Sequence, residues 1–207
     1  MRLISEGAEA RIYETRFLGM DTIVKERAAK RYRIKQLDDK LRRQRTKSEA
    51  RLLYAASSHG MNVPNPLLVG LTSICMRRIR GRSLHEFTTG FARIGRARLS
   101  GALHDAGVYC GLLHNLDIAH GDYTPANLML DNAGELWIID FGLAKSTKSP
   151  EEKALDLLLM KRSVSQDLFQ RFLAGYRKSC AYSGEMIKRL AEIERRGRYQ
   201  THTLMAG

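Results

Sequence analysis

The sequence predicts an α+β protein of two lobes, a small β-rich first lobe with one long helix and a mostly helical second lobe. Three observations carry this. Strand-like runs crowd the first 30 residues around a turn at Gly7. A long helical pattern follows, with Leu37, Leu41, Ser48, Leu52 and Ala56 on one face. Beyond Gly81 helical stripes take over, beginning with Leu99, Leu103, Ala106, Cys110 and Leu113. With 207 residues, 43% of them hydrophobic, the chain can bury a core without staples. The lobes are expected at residues 1–80 and 81–207.

Taken in order, Arg2–Ser5, Arg11–Phe17 and Asp21–Arg27 read as strands, and the long helix stops near Gly60 before the loop at Pro64 and Pro66. Leu67–Leu71 and Ile74–Ile79 read as two further strands. In the second half, Leu128–Leu130 and Leu136–Ile139 flank a turn at Asp131-Asn132-Ala133-Gly134. Ala154–Met160 is apolar nearly all round and is expected to be buried. Leu168, Phe169, Phe172, Leu173, Tyr176 and Cys180 form one amphipathic face, and Met186, Ile187, Leu190 and Ile193 another.

Thirty-five Lys and Arg against 22 Asp and Glu leave a net charge of +13, which calls for an anionic partner. The surplus is uneven: Lys25 to Arg51 holds twelve bases and four acids, and Lys188 to Arg198 five bases and two acids. A solvated face would account for such a run; a protein partner, ATP capture or tRNA would use it. Cys75, Cys110 and Cys180 lie far apart in apolar segments, so buried free thiols are expected, with no zinc spacing. No run approaches the ~18 apolar residues of a membrane span. Ser5 and Glu6 interrupt the opening segment, so no signal-peptide core is expected there and the protein reads as cytoplasmic.

The chemistry concentrates in His120-Gly121-Asp122-Tyr123-Thr124-Pro125-Ala126-Asn127, followed by Asp140-Phe141-Gly142. Either motif alone is weak; in this order, separated by a short hairpin signal, they resemble the catalytic and metal loops of protein kinases. Phosphoryl transfer needs a carboxylate near the attacking oxygen, the role of Asp122, and hard oxygen ligands for Mg²⁺, which Asn127 and Asp140 supply. Upstream, Ile4, Ser5, Gly7, Ala8, Glu9, Ala10 and Ile12 fit a phosphate-covering hairpin in which only the central glycine remains. Lys25 follows Ile12 by thirteen residues, as the phosphate-binding lysine should on a third strand. Glu49, in the C-terminal half of the long helix, is its candidate partner; a surface Glu neutralised by Arg45 or Lys47 is the alternative. Met76 is placed at the back of an adenine pocket, with backbone groups of Arg77 and Ile79 on the adenine edge.

Taken together, these motifs resemble the PRPK-type family, the small atypical kinases of the KEOPS complex. The resemblance rests on Gly7–Ala10, the basic run Lys25–Arg33, Leu37-Asp38 with Arg45 and Glu49, and the two motif loops. Glu151–Leu157 and the tail Arg196-Gly197-Arg198-Tyr199 complete it, so it runs from about Met1 to Tyr199. It implies a bilobal protein-kinase-like fold whose reduced helical C-lobe lacks an extended activation segment. It further implies an Mg²⁺- and ATP-dependent kinase/ATPase working with the threonylcarbamoyl-transferase subunit and other KEOPS subunits on the threonylcarbamoyladenosine modification of tRNA.

Departures from ordinary kinases agree with this. Gly121 stands where many kinases carry Arg, Thr124 replaces the lysine near the γ-phosphate, and Pro150 follows Gly142 by only eight positions. Asp156 is expected to hydrogen-bond the catalytic-loop backbone. Arg77 and Arg80 stand where the family commonly has acidic residues, and no function attaches to them. Two alternatives remain. A RIO-type kinase of ribosome assembly would show a different phosphate loop and no DFG at the metal position. A non-catalytic tRNA-binding subunit would not keep Lys25, Glu49, Asp122, Asn127 and Asp140 all filled.

Overall fold

The computed structural model describes residues 1–204, with side chains described as far as Arg196, so the tail residues Gly197, Arg198 and Tyr199 fall outside the described side chains. In chain order the elements begin with β1 (Arg2–Glu6), β2 (Ala10–Phe17), β3 (Met20–Arg27), α1 (Lys35–Ser58), β4 (Pro66–Val69), β5 (Ser73–Arg77), β6 (Gly81–Ser83) and α2 (Leu84–Thr88). They continue with α3 (Arg96–Asn115), β7 (Ile118–Ala119), β8 (Leu128–Asp131), β9 (Leu136–Ile138), β10 (Lys145–Ser146), α4 (Pro150–Ser163), α5 (Gln166–Ser179) and α6 (Ser183–Leu204). The chain divides into two compact units, 1–81 with 131–143, and 82–130 with the residues from 144 onward.

The first unit is built on an antiparallel sheet ordered β1-β2-β3-β5-β4. Leu18 and Gly19, with φ of 50° and 79°, close the β2–β3 hairpin as a two-residue loop beneath the Phe17–Met20 pair. In β3 the period of two puts Ile23, Lys25 and Arg27 on one face, beside Ile74 and Met76 of β5. Helix α1 turns Asp38, Thr46, Glu49, Ala50, Leu52, Leu53 and Ala56 inward. Only Leu52 and Ala56 belong to the stripe expected from apolar spacing; Leu37 is half exposed. Counting apolar residues missed the phase because this helix buries charge, which pairs with cations rather than with hydrocarbon. Residues 131–143 join this unit through Asn62, whose carbonyl accepts from Ile138 N at 2.9 Å and whose amide donates to the Leu136 carbonyl at 3.1 Å.

The second unit is helical, with β10 pairing antiparallel to β7. Helix α2, too short for a periodicity signal, opens on a capping box in which Ser83 and Glu86 satisfy each other's backbone N–H. Helix α4 starts at the Ser149 cap with Pro150 behind it. Its apolar run is buried at Ala154, Leu157, Leu158 and Met160, whereas Leu155 is exposed. Helix α3 crosses α5 at glycines. A Cβ on Gly107 would stand 1.9 Å from the Phe172 carbonyl oxygen, and one on Gly175 1.9 Å from that of His104. All three cysteines are buried and free.

This crossing predicts opposite outcomes for one substitution on one helix. Gly107→Ala meets backbone that cannot swing aside and should lose about 1–3 kcal/mol. Gly101→Ala, where an added Cβ meets nothing within 4 Å, should gain up to about 1 kcal/mol from helix propensity. Urea unfolding of the two variants measures both.

Candidate functional site

In the first unit the chemistry gathers around Lys25. Its strand position and that of Arg27 send both side chains toward α1, and both residues are less than a tenth exposed. Lys25 Nζ donates to Glu49 Oε1 at 2.6 Å and to Asp140 Oδ1 at 2.6 Å, while Arg27 Nη2 donates to Glu49 Oε2. Two buried cations thus converge on the buried Glu49, and Asp140, half exposed, meets Lys25 from the solvent side. Glu49 is 3% exposed, so it is an inward residue. Arg45, the alternative neutraliser of Glu49, instead donates to Glu9 at 3.0 Å. Asp140 has φ of 60° and accepts the Gly142 N–H on Oδ1 at 3.0 Å. A Cβ at Gly142 would lie 2.9 Å from that oxygen and 3.1 Å from Lys25 Nζ, so a larger residue at the third motif position would push on the Lys25–Asp140 pair.

The hairpin between β1 and β2 turns at Gly7, whose N–H donates to the Ala10 carbonyl at 3.0 Å. Ser5 pairs with Ile12, after a register irregularity that begins at Leu3. Ile4 is exposed. Lys30 donates to the Ala8 carbonyl and Ala28 N to the Glu9 carbonyl, tying the tip to the chain after β3. Met76 is buried on the Lys25 face of β5. The Arg77 N–H donates to the Asn65 carbonyl and the Arg78 N–H to that of Asp21, so the Arg77 N–H is already engaged. Ile79 follows, partly buried.

In the second unit the loop after β7 holds Asp122 and Asn127. Asn127 Nδ2 donates to both the carbonyl and Oδ2 of Asp122, at 2.9 and 2.8 Å. The amide oxygen Oδ1 thereby points away from Asp122 as a hard acceptor. Asp156, fully buried in α4, supports this loop from behind: Oδ2 accepts from His120 N at 2.7 Å and Oδ1 from Gly121 N at 2.8 Å. The same Oδ2 meets His114 Nε2 at 3.3 Å, and His114 Nδ1 meets the Tyr176 hydroxyl at 2.8 Å. Cys180 Sγ approaches that hydroxyl at 3.3 Å. Burial pushes the pKa values of Tyr123, Tyr176 and Cys110 up, with the Asp156 charge adding to each, so all three stay protonated. Tyr123 spends its hydroxyl on the Ala106 carbonyl at 2.7 Å.

The residues named from sequence thus fall into two sets. Lys25, Glu49, Asp140 and the hairpin lie in the first unit, and Asp122 with Asn127 in the second. Arg27 and His114 are not among the residues singled out from sequence, and Tyr176 figures there only on an amphipathic helix face. Arg27 carried a signal, standing two residues from Lys25 on the same strand face; His114 and Tyr176 meet only through tertiary packing. Among the described residues no three His, Cys, Asp or Glu side chains gather as a metal site. A magnesium site completed by substrate phosphates needs no such group.

A RIO domain model matches residues 10–179. The chain is 36% identical to a KEOPS complex subunit Bud32 from Pyrococcus abyssi, with 97% of each chain covered. It is 34% identical to an EKC/KEOPS complex subunit bud32 from Dictyostelium discoideum, over 96% of this chain and 83% of that protein. A probable bifunctional tRNA threonylcarbamoyladenosine biosynthesis protein of Methanobrevibacter smithii is 37% identical, and there the chain spans 37% of the longer protein. Among solved structures, the Rio2 kinase-ADP/Mg²⁺-phosphoaspartate complex from Chaetomium thermophilum shares the fold at a TM-score of 0.65, with 18% identity, 97% of this chain and 72% of that one covered. The kinase-like α+β fold expected from the motifs is therefore the fold of this chain.

The Asp156 bridge predicts that Asp156→Ala, which strands two backbone N–H groups, lowers stability by about 2–4 kcal/mol. Asp156→Asn, able to accept through one oxygen only, should fall between that variant and the parent. Urea midpoints at constant m-value read the difference.

Proposed function

From the premise that this chain belongs to the RIO domain family and, over nearly its whole length, to the family of KEOPS Bud32 subunits, we propose that it hydrolyses or transfers the γ-phosphate of ATP in support of threonylcarbamoyladenosine formation on tRNA. It is an atypical protein kinase/ATPase. The RIO domain does not by itself favour ribosome assembly: the sequence reading set RIO-type kinases apart from the KEOPS family, whereas one domain model covers this chain. Full-length similarity to KEOPS subunits decides between the two roles.

The observation that carries the reading is the buried Lys25, held at 2.6 Å by both Glu49 and Asp140. A lysine so fixed presents its ammonium to phosphate oxygens in one place rather than sweeping through solvent. Arg27 keeps Glu49 oriented when Lys25 turns toward phosphate. The Gly7–Ala10 hairpin covers the phosphates, and Met76 with the Arg77 and Ile79 backbone bounds the adenine. Asp140 and the amide oxygen of Asn127 would hold Mg²⁺, which when bound neutralises phosphate charge. Asp122 orients the attacking water or Ser/Thr hydroxyl and receives its proton. Asn127 fixes the Asp122 carboxylate for that task through its 2.8 Å bond.

Outside this site, Lys40, Arg43, Lys47 and Arg51 line one exposed side of α1 and enter no ion pair among the described residues. Like charges three and four apart weaken a helix, so this row favours an anionic macromolecule, tRNA or an acidic subunit surface. Among the described residues no helix is long and apolar enough to cross a membrane, and we place the protein in the cytoplasm with the threonylcarbamoyl-transferase subunit and the other KEOPS subunits.

Lys25→Ala and Asp140→Ala should each lower ATP hydrolysis by about 100-fold or more while the circular dichroism spectrum stays that of the parent. The assay uses the full chain with and without the transferase subunit and tRNA. Hydrolysis at the parental rate in either variant overturns the assignment.

A further inference from the structure

Arg77 and Arg80, which neither the ATP site nor the subunit reading uses as side chains, border a groove of about 580 Å³ in the first unit. Sheet register places Arg77 on the side away from the phosphate lysine. Arg77 pairs with Thr22, whereas Lys25 pairs with Ile74 and Met76 with Ile23, so successive side chains point to opposite faces. The Arg77 guanidinium lies 5.5 Å from the centroid of the Trp137 ring.

The platform is rigid before anything binds. Trp137 Nε1 donates to Asp131 Oδ2 at 3.0 Å, and Asp131 Oδ1 accepts from Ala133 N and Glu135 N, both at 2.9 Å. Burial works against the Asp131 charge, but these hydrogen bonds outweigh it and hold the carboxyl below its ordinary range. The indole plane is therefore locked to the hairpin turn. Arg78 is neutralised by Glu14, and Arg80 touches Asp21 while remaining 62% exposed along its side chain. Arg77 has no carboxylate partner among the described residues; its contact is the indole.

We propose that this groove binds a single nucleoside phosphate, its base stacked on the Arg77–Trp137 pair and its phosphate met by the guanidinium groups of Arg77 and Arg80. The uncompensated Arg77 guanidinium, with the exposed Arg80 beside it, matches one phosphate group. A fixed aromatic–guanidinium stack offers the π surface on which unpaired bases lie, which an acidic peptide would leave unused. The volume suits one small ligand rather than a duplex groove contact. The nucleoside phosphate is either a free mononucleotide or one unpaired residue of an RNA strand.

Trp137 is the only tryptophan in the chain, so its fluorescence reports on this groove alone. Uridine monophosphate and a short single-stranded oligouridylate are titrated into the full-length protein at saturating Mg²⁺-ATP, which fills the other nucleotide site. Saturable quenching is expected, with Kd raised about tenfold or more in Arg77→Glu and in the solvent-exposed Arg80→Ala. Quenching by both probes identifies a mononucleotide site, and quenching by the oligomer alone an RNA residue. No saturable quenching, a Kd indifferent to both substitutions, or equal quenching by polyglutamate overturns the proposal.

Discussion

A lysine ammonium removed from water has to be met by opposite charge, and the first unit is arranged around that demand. Lys25 enters the interior because its strand parity points it there, between Ile12 and Ile74. Once there it needs Glu49, and Glu49, itself 3% exposed, needs more than one cation to use both oxygens. Arg27 supplies the second. Breaking one member leaves an uncompensated buried charge, which is why such clusters tolerate substitution poorly. The phase of α1 follows from this constraint: the helix rotates to deliver a carboxylate, and Leu37 is left half exposed in consequence.

The second unit meets the same demand with a carboxylate. Asp156 is fully buried and takes two backbone N–H groups and His114 in place of water. It fixes the loop at the main chain of His120 and Gly121, immediately before Asp122, whose carboxylate the Asn127 amide then holds. The Asp156–His114–Tyr176–Cys180 chain runs across α3, α4 and α5, so the loop inherits the rigidity of the helical core. The glycine crossing of α3 and α5 brings those helices close enough for His114 to reach Tyr176.

What the sequence made legible was chemistry with a local signature. The strands of the first unit, the α3 and α5 stripes, the three buried thiols and the Asp156 contact were readable because periodicity or motif spacing encodes them. The α1 face was misjudged because Asp38, Thr46 and Glu49 are polar residues buried by pairing, a property of tertiary partners. Strands β7 and β10, of two residues each, and α2, of five, fall below any periodic window. His114 and Tyr176 are 62 positions apart, and nothing in either neighbourhood announces the other. Trp137 read as an ordinary strand residue because the arginine above it comes from β5.

The net charge of +13 now separates into kinds. Lys25 and Arg27 are spent on the buried Glu49, with the half-exposed Asp140 also meeting Lys25. Arg33 and Arg42 serve the buried Asp38, and Arg45 serves Glu9. These positive residues stabilise the fold and the hairpin, and their charge is cancelled locally. Lys40, Arg43, Lys47 and Arg51 are different: they repel one another along a helix whose burial they do not assist. Arg77 differs again, its guanidinium resting on an indole rather than on a carboxylate. Most of the basic segment is therefore structural where its residues face the sheet and uncompensated where they face water. A folded protein gains nothing in stability from the uncompensated part, which leaves that part to solvation or to something anionic outside the chain.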